Sequence, residues 1–200
     1  MIVEAQAGSP IRIPGACSRC PALVANRRRI VQGYGSSEAR VFLVGEAPGY
    51  KGGDLTGVPF TRDRSGVRLQ QVLIALGLSD ETDPRVERPR LRCFVTNIVR
   101  CNPPSNRTPS RTEMLNCMPY LWQELELLRP RIVVPVGGVA AQAIFSRLLG
   151  RPSPPISQAH ARVFHGDRVI VVPMRHPARS SNAELDRFVV VMRLLLQTVG

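Results

Sequence analysis

Five cysteines stand in the 200-residue chain: Cys17, Cys20, Cys93, Cys101 and Cys117. Cys17-Ser18-Arg19-Cys20 is a CxxC pair in a polar, arginine-flanked stretch without core periodicity. Cys101 and Cys117 come later, and four thiolates can converge if the N-terminal segment packs beside residues 101–117. Four sulfurs satisfy either a tetrahedral zinc or a [4Fe–4S] cluster, and spacing alone does not separate the two. With no secretory signal pattern at the start, a metal centre is expected before a disulfide framework. Cys93 differs, because it lies inside an apolar run and reads as a small core residue.

A second group of residues is crowded with glycine. Gly45-Glu46-Ala47-Pro48-Gly49 runs into Tyr50-Lys51-Gly52-Gly53-Asp54 and on to Phe60-Thr61. Such a stretch makes tight turns and lets backbone approach a ligand closely. It also carries two carboxylates, Glu46 and Asp54, and one ring, Phe60. A carboxylate, an aromatic platform and open backbone N–H groups can hold a flat polar ring and stabilise positive charge beside it. Ordinary solvated acids on a surface loop are the alternative.

These residues need elements to hold them. Four apolar runs rich in valine, at residues 40–45, 92–97, 131–137 and 168–173, read as buried parallel strands. Helical periodicity fills the intervals. Leu69, Val72, Leu73 and Leu76 share one face, as do Met118, Leu121, Trp122 and Leu125, and later Leu185, Phe188, Val189, Met192 and Leu196. Ser110-Arg111-Thr112-Glu113 has the form of a capping box. A shorter helix is expected after Gly137-Gly138, ending near Gly150. Alternating strands and helices predict a three-layer α/β fold around a mostly parallel four-stranded sheet, as one domain over residues 1–200, with the site at the carboxyl ends of the strands.

Charge narrows the partner. Lysine and arginine number 27 against 15 acidic residues, a formal net charge of +12. Lys51 is the only lysine, which codon bias explains, but bias does not explain the excess of basic over acidic residues. A broad positive field attracts polyanions, above all nucleic acid. No window is apolar for long enough to make a membrane helix, so a cytoplasmic protein is expected.

The stretch GEAPG…DLTGVPFT resembles the first motif of uracil-DNA glycosylases of families 4 and 5. Residues 95–107, VTNIVRCNPPSNR, resemble their TNxVxCxPPxNR segment, and Arg175-His176-Pro177-Ala178 is similar to their closing His-Pro motif. Similarity runs from about Cys17 to Asn182, in the family's order and spacing.

The resemblance implies an enzyme that flips a deaminated base, uracil first, out of DNA and hydrolyses its N-glycosidic bond. It implies catalytic roles for Asp54, Glu46 and His176: a carboxylate beside the sugar cation, and an imidazole facing the base oxygen. Asp54 matches the family's D-x-T-G acid and Glu46 the family 4 glutamate. Asn97 would read the pyrimidine edge, Phe60 would stack on the base, and Gly45, Ala47 and Gly49 would line the pocket. Ala47 falls where family 1 carries its catalytic aspartate. Gly49 falls where family 1 has a tyrosine that excludes the thymine methyl, so a roomier pocket is expected. Cys17, Cys20, Cys101 and Cys117 match the four [4Fe–4S] ligands. Arg62, Arg64, Arg107, Arg175 and Arg179 would meet DNA phosphates, with Arg179 filling the gap left by the flipped base. Monomeric action on DNA is the expectation. Hypoxanthine, xanthine or mismatched thymine as the base, a non-catalytic iron–sulfur DNA-binding protein, and a zinc-binding module are the alternatives.

Overall fold

The computed structural model describes residues 8–198. Its six-stranded sheet comprises β1 (Tyr34–Gly35), β2 (Val41–Gly45), β3 (Phe94–Asn97), β4 (Ile132–Pro135), β5 (Phe164–His165) and β6 (Ile170–Val171). Their order across the sheet is β1-β3-β2-β4-β6-β5. The central four, β3, β2, β4 and β6, are mutually parallel. These are the four runs the sequence marks as strands. The edge strands β1 and β5 pair antiparallel and are two residues long, too short to leave any periodicity in the sequence.

Both faces of the sheet are covered, which is why the central strands are buried at nearly every position and mostly apolar, with Thr96 and Asn97 of β3 the polar exceptions. Along β2, Val41 and Leu43 pack with α3 (Arg64–Ala75) and α7 (Asn182–Thr198), through Leu69, Val72, Leu73, Leu185, Phe188 and Met192. Phe42 and Val44 point the other way, onto α1 (Pro21–Asn26), α4 (Arg111–Leu128) and α5 (Gly138–Leu148), through Leu23, Leu121, Ile144 and Phe145. Alternation of side chains along each strand thus splits the interior into two cores and gives three layers. Phe42 and Phe94 stack on the second face with ring centroids 5.3 Å apart. Two short helices, α2 (Gly53–Thr56) and α6 (Ile156–Ala159), lie in connections.

Caps fix where the long helices begin. Ser110 Oγ accepts from Glu113 N at 3.2 Å while Ser110 N donates to Glu113 Oε2 at 2.7 Å, the expected capping box. Ser181 and Glu184 make the same reciprocal pair at the start of α7.

Among the described residues one ion pair is fully interior. Arg100 donates to both oxygens of Glu124 at 3.1 and 2.6 Å, with side chains 1% and 0% exposed. Thr96 and Ser9 hydroxyls also donate to that carboxylate. The pair joins the end of β3 to α4.

Candidate active site

Parallel pairing places Gly45 opposite Asn97 at the carboxyl ends of β2 and β3. A Cβ on Gly45 would come within 2.5 Å of both Asn97 Oδ1 and the Phe60 ring. Glycine is therefore required at 45, and its absent side chain is what lets the amide and the ring converge. Asn97 is 2% exposed. Phe60 holds a left-handed backbone with φ of 55°, and Arg62 follows at 70°. Non-glycine residues adopt that region at a cost, and such strain concentrates at functional sites. The turn is held by Thr61 Oγ1 donating to Val58 O at 2.9 Å and by Gln70 Nε2 donating to Phe60 O at 3.3 Å. Gly66, in the first turn of α3, permits the contact, because a Cβ there would strike the Thr61 backbone.

The two loop carboxylates differ in setting. Asp54, in α2, is fully buried; Oδ1 accepts from Arg28 N at 3.1 Å, and Oδ2 is enclosed without a hydrogen-bond partner among the described residues. Its carboxylate is thus turned towards the Arg28 backbone, and no hydrogen bond joins it to Asn97 or Phe60. Glu46 is half-buried, and its carboxylate makes no hydrogen bond or ion pair among the described residues. Its carbonyl accepts from Val99 N at 3.0 Å, which pins the loop to the end of β3. Ala47 is half-buried against the core on the α4 side.

His176 follows the Val136–Met174 bridge that extends β4 and β6. Its Nδ1 is buried and unpartnered among the described residues. Burial pulls its pKa below the ordinary value of 6.5; Arg179 adds to the shift and Asp63 opposes it. The ring is neutral at pH 7, so one nitrogen carries a hydrogen to donate and the other a lone pair. Arg68 of α3 anchors the following turn, donating to Ser180 O at 2.7 Å and to Asn182 Oδ1 at 2.8 Å.

Asp63 is a site residue that sequence reasoning missed. Its Oδ1 accepts from Gly66 N and Ser65 Oγ, both at 2.8 Å, as the N-cap of α3. Its Oδ2 lies against Gly49 and Gly52, where a Cβ on either would collide with it. The Asp63 carboxylate thus lies where a side chain at Gly49 would begin. Aspartate is a preferred N-cap residue, and that preference marks a helix start without revealing what the second oxygen faces. Asn102 was also missed. Its side chain donates to Pro48 O at 2.9 Å and to Asn106 Oδ1 at 2.8 Å, while Asn106 Oδ1 also accepts from Tyr50 N. The glycine-rich loop is thereby tied to the segment after β3.

The basic residues fall into two groups. Arg62 pairs with Glu87 at 2.7 Å, Arg107 grips both oxygens of Glu113, and Arg175 pairs with Glu184 at 2.7 Å. Arg64 and Arg179 are exposed, and their guanidinium groups have no partner among the described residues.

The four expected cysteines converge. Cys17, Cys20, Cys101 and Cys117 line one cavity with Ile13, Leu23 and Tyr120. Arg27 Nη1 donates to Cys101 Sγ at 3.3 Å and Asn116 Nδ2 to Cys20 Sγ at 3.4 Å. No carboxylate lines the cavity, and among the described residues no three side chains close in tightly enough to hold a single metal ion. An all-thiol set suits a thiophilic centre, a zinc ion or an iron–sulfur cluster. Burial raises the Cys101 thiol and pushes Cys117 up to about 11, so the thiolates would owe their charge state to a bound metal. Cys93 stays apart in the core, its thiol pushed up to about 12 by burial.

Comparison with known proteins bears on the chemistry. The sequence model of a family described as the Uracil DNA glycosylase superfamily matches residues 32–196. A type-5 uracil-DNA glycosylase of Pyrobaculum aerophilum is 36% identical over 180 residues, covering 81% of this chain and 78% of that protein. A type-4 uracil-DNA glycosylase of the same organism is 35% identical, covering 75% and 69%. A type-4 enzyme of Archaeoglobus fulgidus is 34% identical, covering 82% and 77%.

Proposed function

Because the chain belongs to the uracil DNA glycosylase superfamily, we propose that it is a DNA N-glycosylase that excises uracil from DNA as a first step of base-excision repair. The observation that carries this reading is the meeting of Asn97, Phe60 and Gly45 at two adjacent strand ends. A side-chain amide beside an aromatic ring over bare backbone suits a flat base with alternating donors and acceptors.

The base must leave the stack before the glycosidic bond is reachable. In the pocket, the C1′–N1 bond breaks as water adds to C1′, and the sugar passes through oxocarbenium character. Negative charge collects on the departing base. Neutral His176 donates to the base oxygen and stabilises that charge. Asp54, matching the motif acid, takes the carboxylate role beside the sugar once DNA binding uncovers its enclosed Oδ2, and half-exposed Glu46 is the second acid at the same loop. Phe60 stacks on the ring, Asn97 reads its edge, and Gly45, Ala47 and Gly49 leave the backbone open to it. Asp63 beside Gly49 narrows the pocket and favours uracil over bulkier bases. Arg64 and Arg179 meet backbone phosphates directly. Arg62, Arg107 and Arg175 contribute positive field while held by their acidic partners.

Cys17, Cys20, Cys101 and Cys117 would hold a [4Fe–4S] cluster, which when bound ties the N-terminal segment to β3 and α4 and takes no part in hydrolysis. The protein works as a single-domain monomer in the cytoplasm. Among the described residues no helix is long and apolar enough to cross a membrane.

Base release from a labelled duplex carrying one uracil, scored by alkaline cleavage at the abasic site, tests the reading. Breakage with uracil but not with hypoxanthine, xanthine or a mismatched thymine is expected. Breakage confined to one of the other bases would move the specificity, and a folded protein that releases none of them would sink the catalytic reading. Asp54→Asn should lower release more than Glu46→Gln, and the reverse order would exchange their roles. A brown preparation with iron and sulfide in equal amounts is expected, whereas a colourless zinc protein would overturn the cluster.

A further inference from the structure

Outside the base pocket, a cavity of about 410 Å³ opens beside the His176 loop, lined by Ser157, Gln158, His160, Ala161, Arg162 and Arg187. No acidic residue lines it. Neither guanidinium makes an ion pair among the described residues; Arg187 donates only to His160 O, at 3.5 Å. Glu184, whose backbone carbonyl accepts from His160 Nε2, has its carboxylate taken by Arg175 Nη1 and Ser181 N.

The cavity is built on ordered backbone. His160 is 2% exposed and held on both ring nitrogens. Nδ1 accepts from Arg175 N at 3.0 Å, which leaves Nε2 to donate to Glu184 O at 2.8 Å. Ala161 keeps a left-handed φ of 56°, a conformation that costs a residue with a Cβ. Ala161 N donates to Pro173 O at 2.9 Å. These bonds fix the cavity at the same end of the sheet as His176, one residue beyond the peptide that His160 grips.

Resting on the glycosylase reading above, we infer that this cavity is a subsite for one backbone phosphate of the DNA strand, flanking the flipped nucleotide. Two guanidinium groups, a hydroxyl and a side-chain amide supply the donors that a phosphate diester's oxygens require. A strand crossing the base pocket passes the same sheet end, so the phosphate arrives with the substrate. A free phosphate ion has the same chemistry, and the test separates the two sources.

Affinity for a uracil-free duplex is measured against salt concentration for the unaltered protein, for Arg162→Gln with Arg187→Gln, and for Arg129→Gln with Arg168→Gln. The last pair removes equal charge from the opposite end of the sheet. Each phosphate neutralised contributes about 0.9 to the slope of log affinity against log salt. The cavity pair should lose about that much slope, the control pair should lose little, and Arg187→Lys should keep most of it. Equal losses in the two pairs, or none in the cavity pair, would overturn the subsite. So would thermal stabilisation of the unaltered protein by inorganic phosphate with no change in DNA slope, since the ligand would then be the free ion. Uracil release is scored separately on the unaltered protein. Its failure would sink the glycosylase reading while the slopes still report on the cavity.

Discussion

At the residue scale, the site depends on groups whose ordinary preferences are overridden by their surroundings. Phe60 accepts a left-handed backbone so that its ring can meet Asn97 across Gly45. His176 keeps Nδ1 buried without a partner among the described residues. A buried ring without a partner forgoes hydrogen bonding in the free protein, and a base oxygen could restore it. His176→Ala should reduce single-turnover uracil release by roughly 10²–10³-fold, the loss seen when one donor to a developing anion is removed. Asn97→Ala should also weaken binding of a product uracil base, measured as product inhibition. An unchanged rate in the His176 variant would remove it from the chemistry. The residues supplying these roles were visible as motif positions. Asp63 was not, because only the packing of α3 against the loop brings its Oδ2 onto Gly49 and Gly52.

At the element scale, caps and one interior ion pair hold the site-bearing pieces in place. Ser110→Ala removes the acceptor for Glu113 N and should cost about 1 kcal/mol in chemical denaturation. Glu124→Ala leaves the Arg100 guanidinium buried without its countercharge and should cost about 3–5 kcal/mol. The same variant should loosen the cysteine cavity, because Arg100 precedes Cys101 and Glu124 shares α4 with Cys117. A lower iron content in that variant checks the coupling; full retention of iron would separate the ion pair from the cluster. The Ser110–Glu113 box was legible from spacing. The equal spacing of Ser181 and Glu184 went unread, and there the carboxylate also serves Arg175, a tertiary contact.

At the scale of the whole molecule, two half-buried or buried histidines couple folding to pH. Burial is the leading cause that lowers both His160 and His176 below 6.5. In the unfolded chain each ring takes up its proton near 6.5, and in the fold only at lower pH, so acid favours unfolding. Stability should be full above 6.5 and should decline as pH falls below it. Denaturation midpoints between pH 7.5 and 5.5 check this, and His160→Gln should flatten part of the decline. Glu184 acts lower, since hydrogen bonds from Ser181 and Arg175 hold it down to about 2. Its contribution is present above 4.5 and fades between 4.5 and about 2. The net charge of +12 predicts DNA binding that weakens steeply with salt.

The sequence by itself determined the layered α/β fold, because four uninterrupted valine-rich runs can be buried only in a sheet covered on both faces. It also marked which residues match the family's motifs, since motif order and spacing survive without coordinates. Only the tertiary structure decided where those groups point. It turned Asp54 towards Arg28 and brought four cysteines around one cavity. It bound Arg62, Arg107 and Arg175 to acids distant or near in the chain, and opened a second basic cavity beside His176. Side-chain partnership depends on three-dimensional distance, and local residue pattern carries none of it once partners lie on different elements.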